Sequence, residues 1–139
     1  MKTRFTSLVK LKKNKVQKSE QFLQKASVNL NSASNALELS YLSLEDLETP
    51  KSGTISQMLA SRVLLHSQRD LINHNKEWVG FAANQVEQAK TQLKADMIEY
   101  EKFQYLEFEE IKEELKKRKV KEAKDLDEIA LMTFIGKNR

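Results

Sequence analysis

The residue types that most often do chemistry are few in this sequence, and their spacing is poor for it. His66 and His74 stand eight residues apart, whereas two metal ligands on one helix need a spacing of three or four residues. Adjacent acids such as Glu109 and Glu110 are expected on a helix with no cleft around them, so they lack the setting of a general acid and base. No GxxxxGK[ST] loop is present to hold nucleotide phosphates. The sequence therefore predicts no enzyme, no metal and no cofactor.

The composition indicates long helices. Charged residues make up 32% of the 139 residues, and there are three glycines, one proline and no cysteine. So few turn-forming residues disfavour sheet folds and active sites built from loops. The absence of cysteine excludes disulfides and zinc–thiolate sites. No apolar run approaches the roughly 18 residues of a transmembrane helix, so no membrane span is expected.

The charges are unevenly distributed around a net charge of +4. Residues 1–25 carry eight Lys or Arg and one acid, whereas residues 26–48 carry four acids and no base. Charges interrupt the apolar residues of the basic start, so it lacks the continuous core of a secretory signal. A second basic run, residues 116–121, lies between acidic segments and predicts ion pairs along a helix rather than nucleic-acid binding.

One stretch, residues 48–54, breaks the helical pattern. Pro50 disfavours helix at the preceding residue, and Gly53 permits a chain reversal. Thr54 and Gln57 have the spacing of a capping box, which marks a helix start. The sequence therefore predicts a single helical hairpin over residues 1–139, with helix one at about 3–48, a turn at 49–54 and helix two at about 55–135.

Both predicted helices repeat every seven residues, which is typical of a coiled coil. Large residues at the a positions alternate with mostly small or polar residues at the d positions. We call the face formed by these two positions the seam. In helix one the seam consists of Val9, Lys12, Val16, Ser19, Leu23, Ala26, Leu30, Ala33, Leu37, Ser40, Leu44 and Leu47. In helix two it consists of Met58, Ser61, Leu65, Gln68, Ile72, Asn75, Val79, Ala82, Val86, Ala89, Leu93, Asp96, Tyr100 and Phe103.

The short turn predicts an all-α, two-helix antiparallel coiled coil in which a layers face d layers. Facing residues whose numbers add up to 105 place a large side chain against a small or polar one in nearly every layer. This register starts with Leu47 opposite Met58 and places Leu30 opposite Asn75. Helix two is then longer than helix one, and its part from Leu106 to Ile135 overhangs at the terminal end without a partner.

Two ends of this hairpin are candidate binding surfaces. The overhang ends in an apolar stretch, and an isolated helix gains little stability without a partner. At the turn, residues 39–47 hold more leucine and tyrosine than a two-helix seam can bury, which indicates a binding patch.

The sequence resembles the FliJ family at its start, at its end and in its overall pattern. The start reads FTSLVKLKK at residues 5–13, and the most specific part, residues 122–130, reads EAKDLDEIA. FliJ is the small stalk protein of the bacterial flagellar export apparatus and is related to the YscO proteins of type III secretion. The resemblance implies a cytoplasmic protein, peripheral at the inner-membrane apparatus, that serves flagellum biogenesis and motility.

The resemblance also implies two partners, one at each end of the hairpin. The end with both termini would insert into the ring of the export ATPase FliI and stimulate it, and the turn end would contact the export gate protein FlhA. Some members are described as escorting export chaperones. By their place in the hairpin, we assign to the ATPase end Arg4, Lys12, Leu126, Asp127, Glu128, Ile129 and Phe134. We assign to the gate end Tyr41, Leu44, Leu64 and Leu65.

An alternative of a different class stays open at this point. The protein could be an oligomeric structural coiled coil or a secretion chaperone, in which overhangs pair between chains. Self-association would then bury the unpaired apolar residues, so the oligomeric state distinguishes the two interpretations.

Overall fold

The computed structural model describes residues 2–47 and 53–137 and has two helices there: α1 (Thr6–Asp46) and α2 (Ile55–Lys137). The two long helices pack against each other, and no strand occurs in these ranges. This confirms the predicted all-α, two-helix coiled coil. Residues 49–52 of the predicted turn lie outside the described residues, and the limits of a single hairpin domain stay a prediction. No helix in the described part of the chain is long and apolar enough to cross a membrane.

The capping box at the start of α2 forms as predicted. The Thr54 amide donates to Gln57 Oε1 at 3.2 Å, and the Gln57 amide donates to Thr54 Oγ1 at the same distance. Gly53, with a φ of 158°, precedes this cap. A Cβ at Gly53 would come 2.5 Å from Gln57 Oε1, so a side chain there would displace the capping carboxamide.

The buried face of both helices is the predicted seam. Within residues 2–47 and 53–136, every buried residue occupies an a or d position. Every other seam residue is half-buried except Met58, which is 47% exposed. The buried residues are Val16, Ser19, Ala26, Ala33, Ser40, Ile72, Asn75, Ala82, Val86, Ala89 and Asp96.

The chain divides into two compact units. We call Gln17–Ala95 the turn unit, and Met1–Val16 with Asp96–Arg139 the terminal unit. In the turn unit, Ala26 shares one buried cluster with Val86 and Ala89, against which Leu23 and Leu30 pack.

The contacts of the turn unit show that the predicted register is wrong. The Asn75 side chain donates to Ser40 Oγ and, at 3.3 Å, to the Ala36 carbonyl, although the prediction placed Asn75 opposite Leu30. Gln68 Nε2 donates to the Ser40 carbonyl at 2.9 Å. In these contacts the numbers of facing residues add up to about 112 and not to 105. The observed pairing therefore differs from the predicted one by about one heptad.

The connection between the helices explains this difference. The prediction assumed the shortest turn, which brings Leu47 opposite Met58. In the structure α1 ends at Asp46, and α2 has no half-buried residue before Ser61. The first turns of α2 therefore extend past the end of α1, and the seam begins further along α2.

The terminal unit shows the same displacement in its ion pairs. Arg4 Nε lies 3.3 Å from Glu110 Oε2, and Lys15 Nζ lies 3.7 Å from Asp96 Oδ1. Residues of α2 are partly shielded as far as Ile111, and all residues from 112 to 136 are exposed. The overhang thus begins at Lys112 and not at Leu106, which corrects the predicted boundary by about two helical turns.

Candidate partner-binding surfaces

The end of the overhang exposes a group of apolar side chains. Leu126, Ile129 and Phe134 are between 59% and 66% exposed. Leu126 and Ile129 share one side of α2 because residues three apart lie on the same helical face. Asp127 and Glu128 are exposed as well, and the helical periodicity turns them away from Leu126. Leu131, Met132 and Ile135 are exposed as well, and at 3.6 residues per turn they lie on the other sides of the helix, so the apolar surface of this segment is not confined to one face.

The two basic residues assigned to the ATPase end have different environments. The Arg4 side chain is 78% exposed, although its guanidinium pairs with Glu110 and lies 4.9 Å from the Phe5 ring centroid. The Lys12 side chain is 22% exposed, and its Nζ lies 3.9 Å from Glu99 Oε2. Lys12 Nζ is also 5.6 Å from the Phe103 ring centroid. Arg4 is accessible to a partner, whereas Lys12 mainly holds α1 on α2.

The seven residues assigned to the ATPase end do not form one cluster. Arg4 lies at the level of Glu110, and Leu126 follows Glu110 by 16 residues. At 1.5 Å per helical residue this separates Arg4 and Leu126 by about 24 Å along α2. A partner that contacts both has to extend along more than four turns of the helix.

The four residues assigned to the gate end divide into two pairs. Tyr41 and Leu64 are exposed, and the Tyr41 ring centroid lies 5.8 Å from Lys76 Nζ. Leu44 and Leu65 are half-buried in the seam. A partner can therefore contact Tyr41 and Leu64 directly, whereas Leu44 and Leu65 are less accessible.

The first turns of α2 add apolar surface that was not assigned from the sequence. Their exposed residues follow from the observed register, since α1 has ended at this level. The heptad pattern gave a partial signal, but it placed Met58 against Leu47. The exposed apolar residues here are Ile55, Met58, Leu59 and Val63.

An aromatic depression on the flank of α2 also escaped assignment. It is lined by His74, Glu77, Trp78 and Phe81. Trp78 is half-buried, whereas Phe81 is largely exposed. The available signal was the spacing of three and four residues between these side chains, which places them on one face.

The titratable groups of these surfaces do not assemble into a reactive site. His66 Nε2 lies 3.6 Å from Asp70 Oδ2 one helical turn away, and both side chains are exposed. Among the described residues no three His, Cys, Asp or Glu side chains are close enough to hold a metal ion. What the described residues present is a set of apolar and charged helix faces suited to protein contacts.

Comparison with known families decides the class of the protein. The family model described as "Flagellar FliJ protein" matches residues 1–139. The chain belongs to the FliJ family. Membership makes it a component of the flagellar export apparatus, and FliJ is not a known enzyme family. No curated protein and no solved structure matches the chain.

Proposed function

We propose that this FliJ-family protein is a non-enzymatic coupling protein of the flagellar type III export apparatus. Its terminal end binds and stimulates a FliI-like export ATPase, and its turn end contacts the cytoplasmic part of an FlhA-like gate. Contact with export chaperones and a peripheral position at the cytoplasmic side of the inner membrane belong to the same proposal. The observation that carries it is the overhang of α2, which is exposed from residue 112 to residue 136.

The overhang supports a binding role because a single helix without tertiary contacts is marginally stable. Burying a leucine, isoleucine or phenylalanine side chain contributes about 1.5–3 kcal/mol. Leu126, Ile129 and Phe134 expose more than half of their surface, so this contribution is available to a partner. We propose that the ATPase covers these three apolar side chains and also contacts Asp127 and Glu128, which alternate with them around the helix.

Arg4 and Lys12 have unequal parts in this proposal. Arg4 is accessible and can form an ion pair with an acidic group of the ATPase. Lys12 is shielded between Glu99 and Phe103, so it supports the terminal end and forms no direct contact. Substituting Lys12 should therefore change stability before it changes binding.

The exposed apolar residues at the turn end support the gate contact. Tyr41 and Leu64 offer apolar surface to a partner, and Leu44 and Leu65 are half-buried seam residues nearby in sequence. An uncovered apolar patch of this kind typically marks a protein interface.

Hydrolysis by the cognate export ATPase tests the terminal contact. The wild-type protein should stimulate hydrolysis, and combined alanine substitution of Leu126, Ile129 and Phe134 should abolish the stimulation. Leu39→Ala is the matched control, because Leu39 is 63% exposed but belongs to the turn unit. Wild-type stimulation by the triple variant would refute the proposed ATPase contact.

Binding to the cytoplasmic domain of the gate protein tests the turn end independently. The double variant Tyr41→Ala and Leu64→Ala should lose binding to the gate domain and keep its stimulation of the ATPase. Equal binding of this variant and the wild type would refute the assignment of these residues.

An oligomeric structural coiled coil or a secretion chaperone is the second candidate function. The same exposed residues of the overhang favour it, since two chains could cover them by pairing their overhangs. Light scattering separates the two: a monomer supports the coupling protein, whereas a dimer that dissociates when Leu126 and Ile129 are substituted supports the oligomer.

A further inference from the structure

We propose that the polar cluster of Ser40, Gln68 and Asn75 selects the register of the turn unit. A second register, shifted by one heptad, becomes populated when the Asn75 side chain is removed. The inference concerns the fold of the turn unit and does not depend on the proposed function.

Apolar packing alone does not distinguish the two registers. In the observed register Ala26 lies with Val86 in one buried cluster. After a shift of one heptad Ala26 would face Val79 instead, and again a small residue would meet a valine. The a and d positions of the seam repeat every seven residues. Large residues therefore face small or polar ones in most layers of either register.

The polar cluster does distinguish them. Ser40 Oγ donates to the Ala36 carbonyl at 2.8 Å and accepts a hydrogen bond from the Asn75 side chain. Ser40 and Asn75 are both buried, with exposed fractions of 4% and 7%. A shift of one heptad would place Asn75 opposite Leu30, with Ala33 in the place of Ser40, and the Ala33 methyl group accepts no hydrogen bond. The buried Asn75 amide would then lose its hydroxyl partner, so the shifted register is disfavoured.

The selected register determines which part of α2 is exposed at the turn end. A shift of one heptad moves the helices by about 10 Å along each other. Met58 would then lie opposite Leu47, and Leu65 opposite Ser40. The polar cluster therefore keeps the first turns of α2, including Met58 and Leu64, uncovered by α1.

Disulfide formation between introduced cysteines measures the register directly, since the sequence has no cysteine of its own. The pair Ala26→Cys and Val86→Cys reports the observed register, and the pair Ala26→Cys and Val79→Cys reports the shifted one. Each pair is oxidised in dilute solution, and the closed fraction is measured by mass spectrometry after alkylation of free thiols. With Asn75 present, the observed-register pair should close at least about tenfold more than the shifted pair.

The decisive comparison uses Asn75→Ala and the matched control Asn73→Ala, an exposed asparagine two residues away. Asn75→Ala should shift the ratio of the two disulfides toward the shifted pair by about tenfold, whereas Asn73→Ala should leave it unchanged. Alanine favours helix, so both variants should keep their far-UV circular dichroism. Equal ratios in the two variants would overturn the proposal, as would failure of both cysteine pairs to close.

Discussion

The seam of the turn unit can be tested by truncating one of its buried side chains. Ile72 is 5% exposed and occupies an a position of α2. Ile98 is the matched control on the same helix, because it is 56% exposed and lies outside the seam. Both are replaced by alanine, so the two variants lose the same three carbon atoms.

The expected cost follows from burial. Each buried methylene contributes about 0.8 kcal/mol, so Ile72→Ala loses about 2.4 kcal/mol of transfer free energy. The cavity left behind adds to this cost, and the better helix propensity of alanine offsets a few tenths of a kcal/mol. We expect a decrease of about 2–4 kcal/mol in the free energy of unfolding. Ile98→Ala should cost about 0.5 kcal/mol or less, because much of its side chain is already in water.

Urea denaturation followed by tryptophan fluorescence provides the measurement. Trp78 is the single tryptophan of the sequence and lies half-buried on α2 within the turn unit, so its signal reports the packing near Ile72. The slope of the free energy against urea should be unchanged if both variants unfold in the same way. A difference of less than about 1 kcal/mol between the two variants would refute the assignment of Ile72 to a packed seam.

Three further measurements test other contacts. Lys15→Met should lower the free energy of unfolding by about 1 kcal/mol because it removes the ammonium group beside the buried carboxylate of Asp96, whereas Lys13→Met, at an exposed position, should be close to neutral in thermal unfolding. Thr54→Ala should weaken the start of α2 by about 1 kcal/mol, which accelerated hydrogen exchange in its first turns would reveal. Amides of residues 112–136 should exchange faster than those of the seam-paired part of α2, and equal protection would contradict an overhang without a partner.

The sequence predicted the seam because burial in a coiled coil follows the heptad. Ser19 and Ser40, which no hydrophobicity scale would place inside, were included in the seam by spacing alone, and both are buried. The capping box at Thr54 was also predictable, since it depends on residues three apart. Both predictions depend on residues a few positions apart in the chain, so a single sequence contains the information needed to make them.

The role of Lys12 could not be predicted in the same way. Its assignment to a partner contact followed from its place at the terminal end and stays a prediction, whereas the structure shows its side chain over Phe103 and beside Glu99. A long lysine side chain can cover an apolar surface and still keep its ammonium group paired. The heptad position of Lys12, a d position in the seam, indicated this packing, whereas its place at the end of the hairpin did not.

Register is the property that the heptad pattern does not determine, and both candidate surfaces depend on it. In the terminal unit a one-heptad displacement moves the start of the overhang from Leu106 to Lys112. In the turn unit it leaves Met58 exposed where the prediction had covered it with Leu47. The apolar residues of the seam form nearly the same pattern in each heptad. Information on register must therefore come from residues that differ between heptads, such as the buried Asn75. In a two-helix protein of this kind, the polar residues inside the seam therefore decide which apolar residues outside it are available to partners.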